Sequence, residues 1–500
     1  MMNANDAIYQ SFMNRDVKTI SNSKITFSSS FIFIIFILVN INVMISAFVI
    51  GHVFIYKMLL MIFYSACLLP LLHVSLRNEF DLFSPIVLFN FYLFFQQGVW
   101  TQLILSGNRL VLHASLGTVL PGILKSLILS VLGVLAFDAA YLYRLYKKCD
   151  KVDNHFTWNY TRLKYIIWIM ALIAFISFFA FLHNTNLAVY LHNINSTRII
   201  GLIGKWSYVA LSESALTIAS VFSLLVYARS RNKIYLILSI LFMLLGVAFG
   251  LLIGYRITSA MIFLVFLFLY HQVVKNISLS LKFILFIAVL YILSSAYAQA
   301  RAARHTVFSV NTIVSSVNKI FTNQGDFNKS LVSMAGRLEG SEVLSMAIQR
   351  TNAAGGYQWG WRMVAQIPFL LIPRFFWPGN PFKKENAGEL FDRKILGDMY
   401  YSDVNSAVGI SGISPTWFGE MYWNFGFVGT VLTTLGLGYL SGGIFSHKYK
   451  NKLIGPVFSS YFLMGLVMLI EAPSDAIINL IVYILPVYLI YIICRSSMYT

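Results

Sequence analysis

Five arginines between residues 256 and 374 are the side chains of this sequence best suited to holding an anion. A guanidinium group donates two parallel hydrogen bonds to a phosphate or pyrophosphate. Arg256 is the only charged residue between Lys233 and Lys275, and a lone cation beside apolar segments is costly unless an anion meets it. The candidates for binding a pyrophosphate are Arg256, Arg301, Arg304, Arg337 and Arg374. Arginines also anchor helices at membrane interfaces, so each candidate has a structural alternative.

A carboxylate and several aromatic side chains lie near these arginines in sequence. Glu420 precedes an apolar run that begins at residue 423, which places its carboxylate at a membrane boundary. Partial desolvation there makes a carboxylate a better proton acceptor near neutral pH, and an ion pair with an arginine is the alternative. Aromatic faces stack on the C–H surfaces of sugars, although tryptophan more commonly anchors membrane interfaces. The candidates for sugar binding are Trp377, Trp417, Tyr422 and Asn424.

Sequence motifs for other chemistries are absent. The chain contains no GxxxxGK[ST] or GxGxxG phosphate loop and no GxSxG nucleophile turn. Its nine histidines lack HExxH spacing, and Cys67, Cys149 and Cys494 form no CxxC pair. The sequence therefore predicts neither a bound metal nor a cofactor.

The composition indicates what kind of fold must position these candidate side chains. Hydrophobic residues make up 58% of the chain and charged residues 11%, whereas soluble domains contain about 25% charged residues. The apolar residues come in runs of about 20, which is the length that crosses a bilayer as a helix. The sequence predicts an all-α transmembrane bundle and excludes a cytosolic enzyme, a secreted domain and a nucleic-acid-binding module. The predicted spans are 31–50, 58–76, 86–105, 119–143, 165–183, 207–228, 234–254, 257–273, 281–299, 423–445, 453–470 and 476–494.

Short loops rich in lysine and arginine indicate the orientation, because these residues are retained on the cytoplasmic side. With twelve spans, the basic loops after residues 143, 228, 273 and 445 all fall on the side of the two termini. Both termini are therefore predicted to be cytoplasmic. The predicted organisation is a polar N-terminus (1–30), nine spans (31–299), a loop domain on the far side (300–422), three spans (423–494) and a short tail (495–500).

Three motifs in order resemble a known family. They are GRLEG at residues 336–340, PRFFWPGNPF at 373–382 and SGISPTWFGEMYWNFGFVG at 411–429. Together with the loop and the span that follows, they resemble the Wzy-type polymerases of oligosaccharide repeat units in bacterial surface polysaccharide synthesis. The resemblance covers roughly residues 250–445 in motif detail, and the earlier part of the chain agrees only in its hydrophobic profile.

The resemblance implies a GT-C-like, metal-independent, inverting glycosyltransferase of the bacterial inner membrane. Its substrates would be undecaprenyl-pyrophosphate-linked oligosaccharides, joined at the periplasmic face into O-antigen or capsular polysaccharide. Arg256, Arg301, Arg337 and Arg374 would stabilise the departing pyrophosphate, and Glu420 or Glu339 would accept the proton of the attacking hydroxyl. Membrane lipids and a chain-length-regulating protein are the implied partners.

Two other functions remain open from the sequence. An O-antigen ligase performs the same chemistry on a different acceptor, lipid A-core. A flippase for lipid-linked oligosaccharides also has about twelve spans, but alternating access is difficult to combine with a large outer domain.

Overall fold

The computed structural model is built almost entirely of helices. It describes residues 32–35, 37–43, 54–77, 80–105, 116–147, 156–183, 206–253, 256–275, 277, 340–361, 391, 394–395, 415–450 and 455–497. The helices are α1 (Ile32–Val43), α2 (Phe54–Leu76), α3 (Pro85–Leu93), a π-helix (Phe94–Val99), α4 (Trp100–Leu105), α5 (Leu116–Tyr146), α6 (Tyr160–His183), α7 (Trp206–Ser230), α8 (Lys233–Ile253), α9 (Arg256–Val273), α10 (Gly340–Arg350), α11 (Trp417–Lys450), α12 (Gly455–Glu471) and α13 (Pro473–Cys494). Two three-residue strands, β1 (Phe156–Trp158) and β2 (Arg495–Ser497), pair antiparallel.

The predicted helical membrane fold is confirmed, but the count of twelve spans stays a prediction. Within the described residues, six helices are long and apolar enough to cross a bilayer: Phe54–Leu76, Val119–Tyr146, Tyr160–His183, Leu211–Ser230, Lys233–Gly250 and Trp417–Ser446. Four apolar helices are shorter: Ile32–Val43, Ser259–Val273, Gly455–Glu471 and Tyr483–Cys494. The predicted span 281–299 lies outside the described residues.

The helices pack around two cores. The first core joins α2, the segment from α3 to α4, α5, α10 and α11. In it α5 and α11 approach closely at glycines, since a Cβ on Gly438 or Gly442 would overlap the carbonyl oxygen of Phe137 or Tyr141. Glycines four residues apart on a helix allow such close packing within membranes.

The second core joins α6, α7, α8, α9, α12 and α13. Between α7 and α8, the hydroxyl of Ser220 donates to the carbonyl oxygen of Ser239 at 2.8 Å, and that of Ser239 donates to the carbonyl of Ser220 at 2.7 Å. Small hydroxyl side chains of this kind join helices where water is absent.

Several contacts bring one set of helix ends together on what we call the basic face. Strand β1, just before α6, pairs with β2, just after α13. Lys164 at the start of α6 lies over the ring of Tyr235 at the start of α8, 5.6 Å from its centroid. The hydroxyl of Ser459 near the start of α12 donates to Gln272 near the end of α9 at 2.6 Å. These are loops that the charge pattern assigns to one side, and the direction of that side in a membrane stays a prediction.

A histidine and an aspartate fix the end of α9 on the same basic face. Nδ1 of His271 accepts a hydrogen bond from the backbone N–H of Ile277 at 2.8 Å, so the proton resides on Nε2, which donates to Asp81 at 2.8 Å. Asp81 also accepts from the backbone N–H of Phe83 at 3.0 Å. The opposite ends of the helices, including the start of α9 at Arg256, form the face that we call the opposite face.

Candidate functional site

Helix α11 is two helices joined by a sharp reversal at Gly426. Gly426 has φ 67 and ψ −166, a conformation that essentially only glycine adopts. Nε1 of Trp417 donates to Oγ1 of Thr434 at 2.8 Å, although residues 17 positions apart on a straight helix are about 25 Å apart. The short helix α11a (417–425) therefore folds back along α11b (427–450). The observed helix begins at Trp417, before the start of the predicted span 423–445, and the reversal at Gly426 interrupts it.

The start of α11a is buried at the middle of α5. A Cβ on Gly133 of α5 would overlap the ring of Phe418, and Gly133 lies near the midpoint of that helix. Oγ1 of Thr416 accepts from the backbone N–H of Gly419 at 3.2 Å and so caps α11a. Thr416 has φ 59, which is a genuine outlier for a β-branched residue. Helix α11a thus runs from the inside of the bundle to the opposite face at Gly426.

Glu420 is fully buried and bonds to the start of α13. Its carboxylate accepts hydrogen bonds from the hydroxyl of Ser474 and from the backbone N–H of Ser474, the latter at 3.3 Å. The first N–H groups of a helix lack partners within it, and the helix dipole favours an anion there. Glu420 therefore caps α13 from another helix.

A loop rich in aromatic residues contacts the end of α11a. It comprises residues 357–361, and we call it the aromatic loop. The backbone N–H groups of Gln358 and Trp359 donate to the carbonyls of Trp423 and Asn424 at 3.1 and 2.8 Å. These carbonyls lose helical partners because the chain reverses at Gly426. Trp359 and Trp361 are 75% and 71% exposed beside this end of α11a.

The π-helix and α10 bury polar groups next to α11a. Gln96 and Gln97 are both 0% exposed, and none of their four side-chain amide atoms has a hydrogen-bond partner among the described residues. A Cβ on Gly340, the first residue of α10, would lie 2.6 Å from Nε2 of Gln97. A buried polar group without a partner costs about 1–3 kcal/mol, and π-helices frequently occur at functional sites.

Helix α10 connects these glutamines to α11a. A Cβ on Gly419 of α11a would lie 3.1 Å from Cγ1 of Val343 in α10, so the two helices are in direct contact here. Each of these residues has an acidic neighbour in sequence: Glu420 follows Gly419, and Glu342 precedes Val343. Glu342 is fully buried, as is its neighbour Ser341. Five buried polar residues on these neighbouring segments are together called the buried polar site: Gln96, Gln97, Ser341, Glu342 and Glu420.

The structure describes five of the eleven residues predicted from the sequence. Arg256 begins α9 at the opposite face. Trp417, Glu420, Tyr422 and Asn424 all lie on α11a. The other six, Arg301, Arg304, Arg337, Glu339, Arg374 and Trp377, lie outside the described residues.

The predicted sugar-binding roles on α11a need revision where the side chains already make hydrogen bonds within the protein. Trp417 is only 5% exposed and donates to Thr434, so its ring is not presented to a sugar in this structure. Asn424 is buried, and its amide donates to the carbonyl oxygen of Glu420 at 2.9 Å. Tyr422 is partly exposed and packs edge-on against Tyr357, with ring centroids 6.1 Å apart. The most exposed aromatic side chains of the aromatic loop are Trp359 and Trp361.

Sequence reasoning missed the glutamines, Glu342 and the aromatic loop. Gln96 and Gln97 are adjacent polar residues inside an apolar run, which could have been noticed as two amides at membrane depth. Glu342 is one of several acidic residues in the segment 300–422, and its position in the sequence does not set it apart from them. Within the described ranges, no three His, Cys, Asp or Glu side chains come together in a group that could hold a metal ion.

The fold defines a helical membrane protein with a polar site buried between apolar helices. No protein-family model, curated protein sequence or solved structure matches the chain.

Proposed function

We propose that the chain is a membrane glycosyltransferase that polymerises undecaprenyl-pyrophosphate-linked oligosaccharide repeat units, the activity of the Wzy-type family that its motifs resemble. The observation that carries the proposal is the buried polar site, in which amides, a hydroxyl and two carboxylates lie between membrane helices. Buried polar groups are nearly always hydrogen-bonded, so four amide atoms without a partner among the described residues favour a polar ligand. Sugar hydroxyls both donate and accept, and therefore match glutamine amides.

The position of the site supports a lipid-linked substrate. Helix α11a lies within the membrane bundle and ends at the opposite face, beside the exposed Trp359 and Trp361. A polyprenyl tail would stay among the apolar helices while its sugars and pyrophosphate occupy this end. Basic loops are retained in the cytoplasm, so the opposite face would face the periplasm of a bacterial inner membrane, with both termini cytoplasmic.

The proposed reaction transfers the growing chain onto a single lipid-linked unit. A sugar hydroxyl of that unit attacks the anomeric carbon of the growing chain, and the bond from this carbon to the pyrophosphate oxygen breaks. Undecaprenyl pyrophosphate leaves with inversion, and the hydroxyl proton passes to a carboxylate. Arg256 and the other candidate arginines would stabilise the negative charge that develops on the leaving group.

Two described carboxylates are candidates for accepting the proton. Glu420 caps α13 in this structure, so its proposed role requires it to exchange a hydrogen bond with Ser474 for one with the substrate. Glu342 is the acid of the α10 segment that packs beside α11a, and we add it to the candidates Glu420 and Glu339.

Glycan display in a strain lacking the gene tests the function. A polymerase deletion leaves lipid A-core capped by a single repeat unit. Uncapped core with polymer retained on undecaprenyl pyrophosphate identifies a ligase, and loss of both polymer and single-unit cap identifies a flippase. Either of these two outcomes contradicts the proposal.

Complementation of the same strain tests the residues. We expect Arg256→Ala, Glu342→Gln and Glu420→Gln each to abolish long chains while the protein is still inserted. Lys233→Ala, a change to an exposed residue on the basic face, serves as the control and should restore the normal ladder. Normal ladders from all three site variants would contradict the site assignment.

A further inference from the structure

An arginine near the end of α5 lies in the groove between α5 and α11b. A Cβ on Gly442 of α11b would lie 3.0 Å from Cβ of Arg144, and a Cβ on Gly443 would lie 3.3 Å from its Nε. The guanidinium carbon of Arg144 lies 5.1 Å from the ring centroid of Tyr439, one turn earlier on α11b. Because helical side chains lean toward the N-terminus of their helix, this guanidinium points back into the membrane.

In the part of the chain that the structure describes, no carboxylate pairs with this cation. Nε of Arg144 is buried and has no hydrogen-bond partner there. The acid of α5, Asp138, lies six residues earlier, and its Oδ1 accepts from the amide of Asn90 at 2.8 Å. Asp81, in the turn before α3, bonds to His271. A cation at the membrane edge is costly unless an anion meets it.

Further basic residues lie at the same ends of these helices, on the basic face. Arg77, just after α2, lies over the ring of Tyr146 at the end of α5, with its guanidinium carbon 5.2 Å from the ring centroid. Lys147 follows α5 and is exposed. The last turn of α11b contains Lys448 and Lys450. This accumulation of positive charge favours a ligand with net negative charge.

The surface of α11b that leads to the arginine is apolar and exposed. Val428, Leu432, Leu435 and Tyr439 are all exposed. Residues three or four positions apart lie on one face of a helix, so these four side chains form a stripe that ends beside the guanidinium of Arg144. In a membrane helix such a stripe contacts acyl chains. An anion that approaches from this side therefore belongs to a lipid.

We propose that Arg144 binds the phosphate of an anionic glycerophospholipid of the phosphatidylglycerol class, in the groove between α5 and α11b. A guanidinium donates two parallel hydrogen bonds to a phosphate. Basic pockets between membrane helices are also a known kind of site for anionic headgroups. The acyl chains lie along the stripe from Tyr439 to Val428. The site joins α5 to α11b and is independent of the proposed glycosyl transfer.

Thermal unfolding of the purified, delipidated full chain in a neutral detergent tests the proposal. The protein is compared with phosphatidylglycerol, phosphatidylcholine or inorganic phosphate added at equal concentration. Because a ligand that binds only the folded state stabilises it, we expect Tm to rise by about 2 °C or more with phosphatidylglycerol over the other two. Equal Tm values with the two lipids, or the same rise with inorganic phosphate, overturn the proposal.

Variants of basic residues locate the site. Arg144→Gln should bind phosphatidylglycerol about fivefold more weakly or worse, which native mass spectrometry measures as the lipid-bound fraction. Arg144→Lys keeps the charge without the planar fork and should fall between. Lys164→Gln is the matched control, because Lys164 is a cation of the basic face that lies over a tyrosine ring in the other core. Unchanged affinity in Arg144→Gln, or an equal loss in Lys164→Gln, overturns the proposal.

The wild-type protein gives an answer even if Arg144→Gln does not fold. Offered equal amounts of the two lipids, it should retain phosphatidylglycerol and lose phosphatidylcholine as the detergent is removed in the mass spectrometer. Equal retention of both lipids overturns the site. Neither measurement depends on glycan synthesis, so a failed proposal here leaves the proposed function separately testable.

Discussion

The carboxylate of Glu420 accepts hydrogen bonds from both the hydroxyl and the backbone N–H of Ser474, 54 residues further along the chain. Four residues earlier, the N–H of Thr416 donates to the carbonyl oxygen of Glu471 at 2.9 Å. The buried helix α11a is thus bonded at its start to the turn between α12 and α13. Any substrate that reaches Glu420 must compete with Ser474.

The pair Glu420 and Ser474 should show strong energetic coupling. Glu420→Ala removes the acceptor of the hydroxyl and the backbone N–H of Ser474, and hydrogen bonds to charged groups contribute about 1.5–3 kcal/mol. Glu420→Gln keeps one oxygen acceptor and should destabilise less. A double-mutant cycle with Ser474→Ala, measured by unfolding in detergent, should give a coupling energy of about 0.5–3 kcal/mol. Additive effects of the two substitutions would show that the pair does not stabilise the fold.

Gly426→Ala should destabilise the reversal between α11a and α11b. The positive φ of 67 strains any other residue, and an added Cβ would lie 3.1 Å from the ring of Tyr357. We expect a loss of about 1–3 kcal/mol and a lower Tm. Gly436→Ala is the control, because a Cβ there meets nothing within 4 Å and alanine favours a helix. A Tm that falls equally for both variants would argue against the reversal.

Gly438→Ala and Gly442→Ala should separate α11b from α5. Added Cβ atoms would overlap backbone carbonyls of α5, which cannot move as a side chain can. Each substitution should cost about 1–3 kcal/mol, whereas Gly436→Ala on the same helix should not. Unfolding in detergent measures the difference, and unchanged stability would contradict the close packing of α5 and α11.

Single cysteines should report two faces in intact cells. In a chain whose Cys67, Cys149 and Cys494 are replaced by serine, Trp361→Cys places a thiol at the opposite face and Lys147→Cys places one at the basic face. Both native side chains are exposed. A membrane-impermeant thiol reagent should label Trp361→Cys directly and Lys147→Cys only after permeabilisation. The reverse pattern would invert the proposed orientation.

Parts of the site could be predicted because they depend on local sequence. Glu420, Tyr422 and Asn424 were identified from one motif, and the structure places them on one short helix. Their partners were not predictable. Ser474 and Trp359 reach this helix from elsewhere in the chain, and no local pattern encodes that meeting. Trp417 was expected to bind sugar, and only the reversal at Gly426 explains why it is buried instead.

The sequence by itself determined that the protein folds in a lipid bilayer and that its fold is a bundle of helices. Long apolar runs with few charges must form helices in a bilayer, because only helices satisfy their own backbone hydrogen bonds there. Tertiary structure alone decided which buried polar groups meet. The glutamines beside Gly340 and the carboxylate of Glu420 beside Ser474 come from separate helices. Their proximity is set by how helices pack, and side-chain shape on several helices at once, not the order of residues in one, fixes that packing.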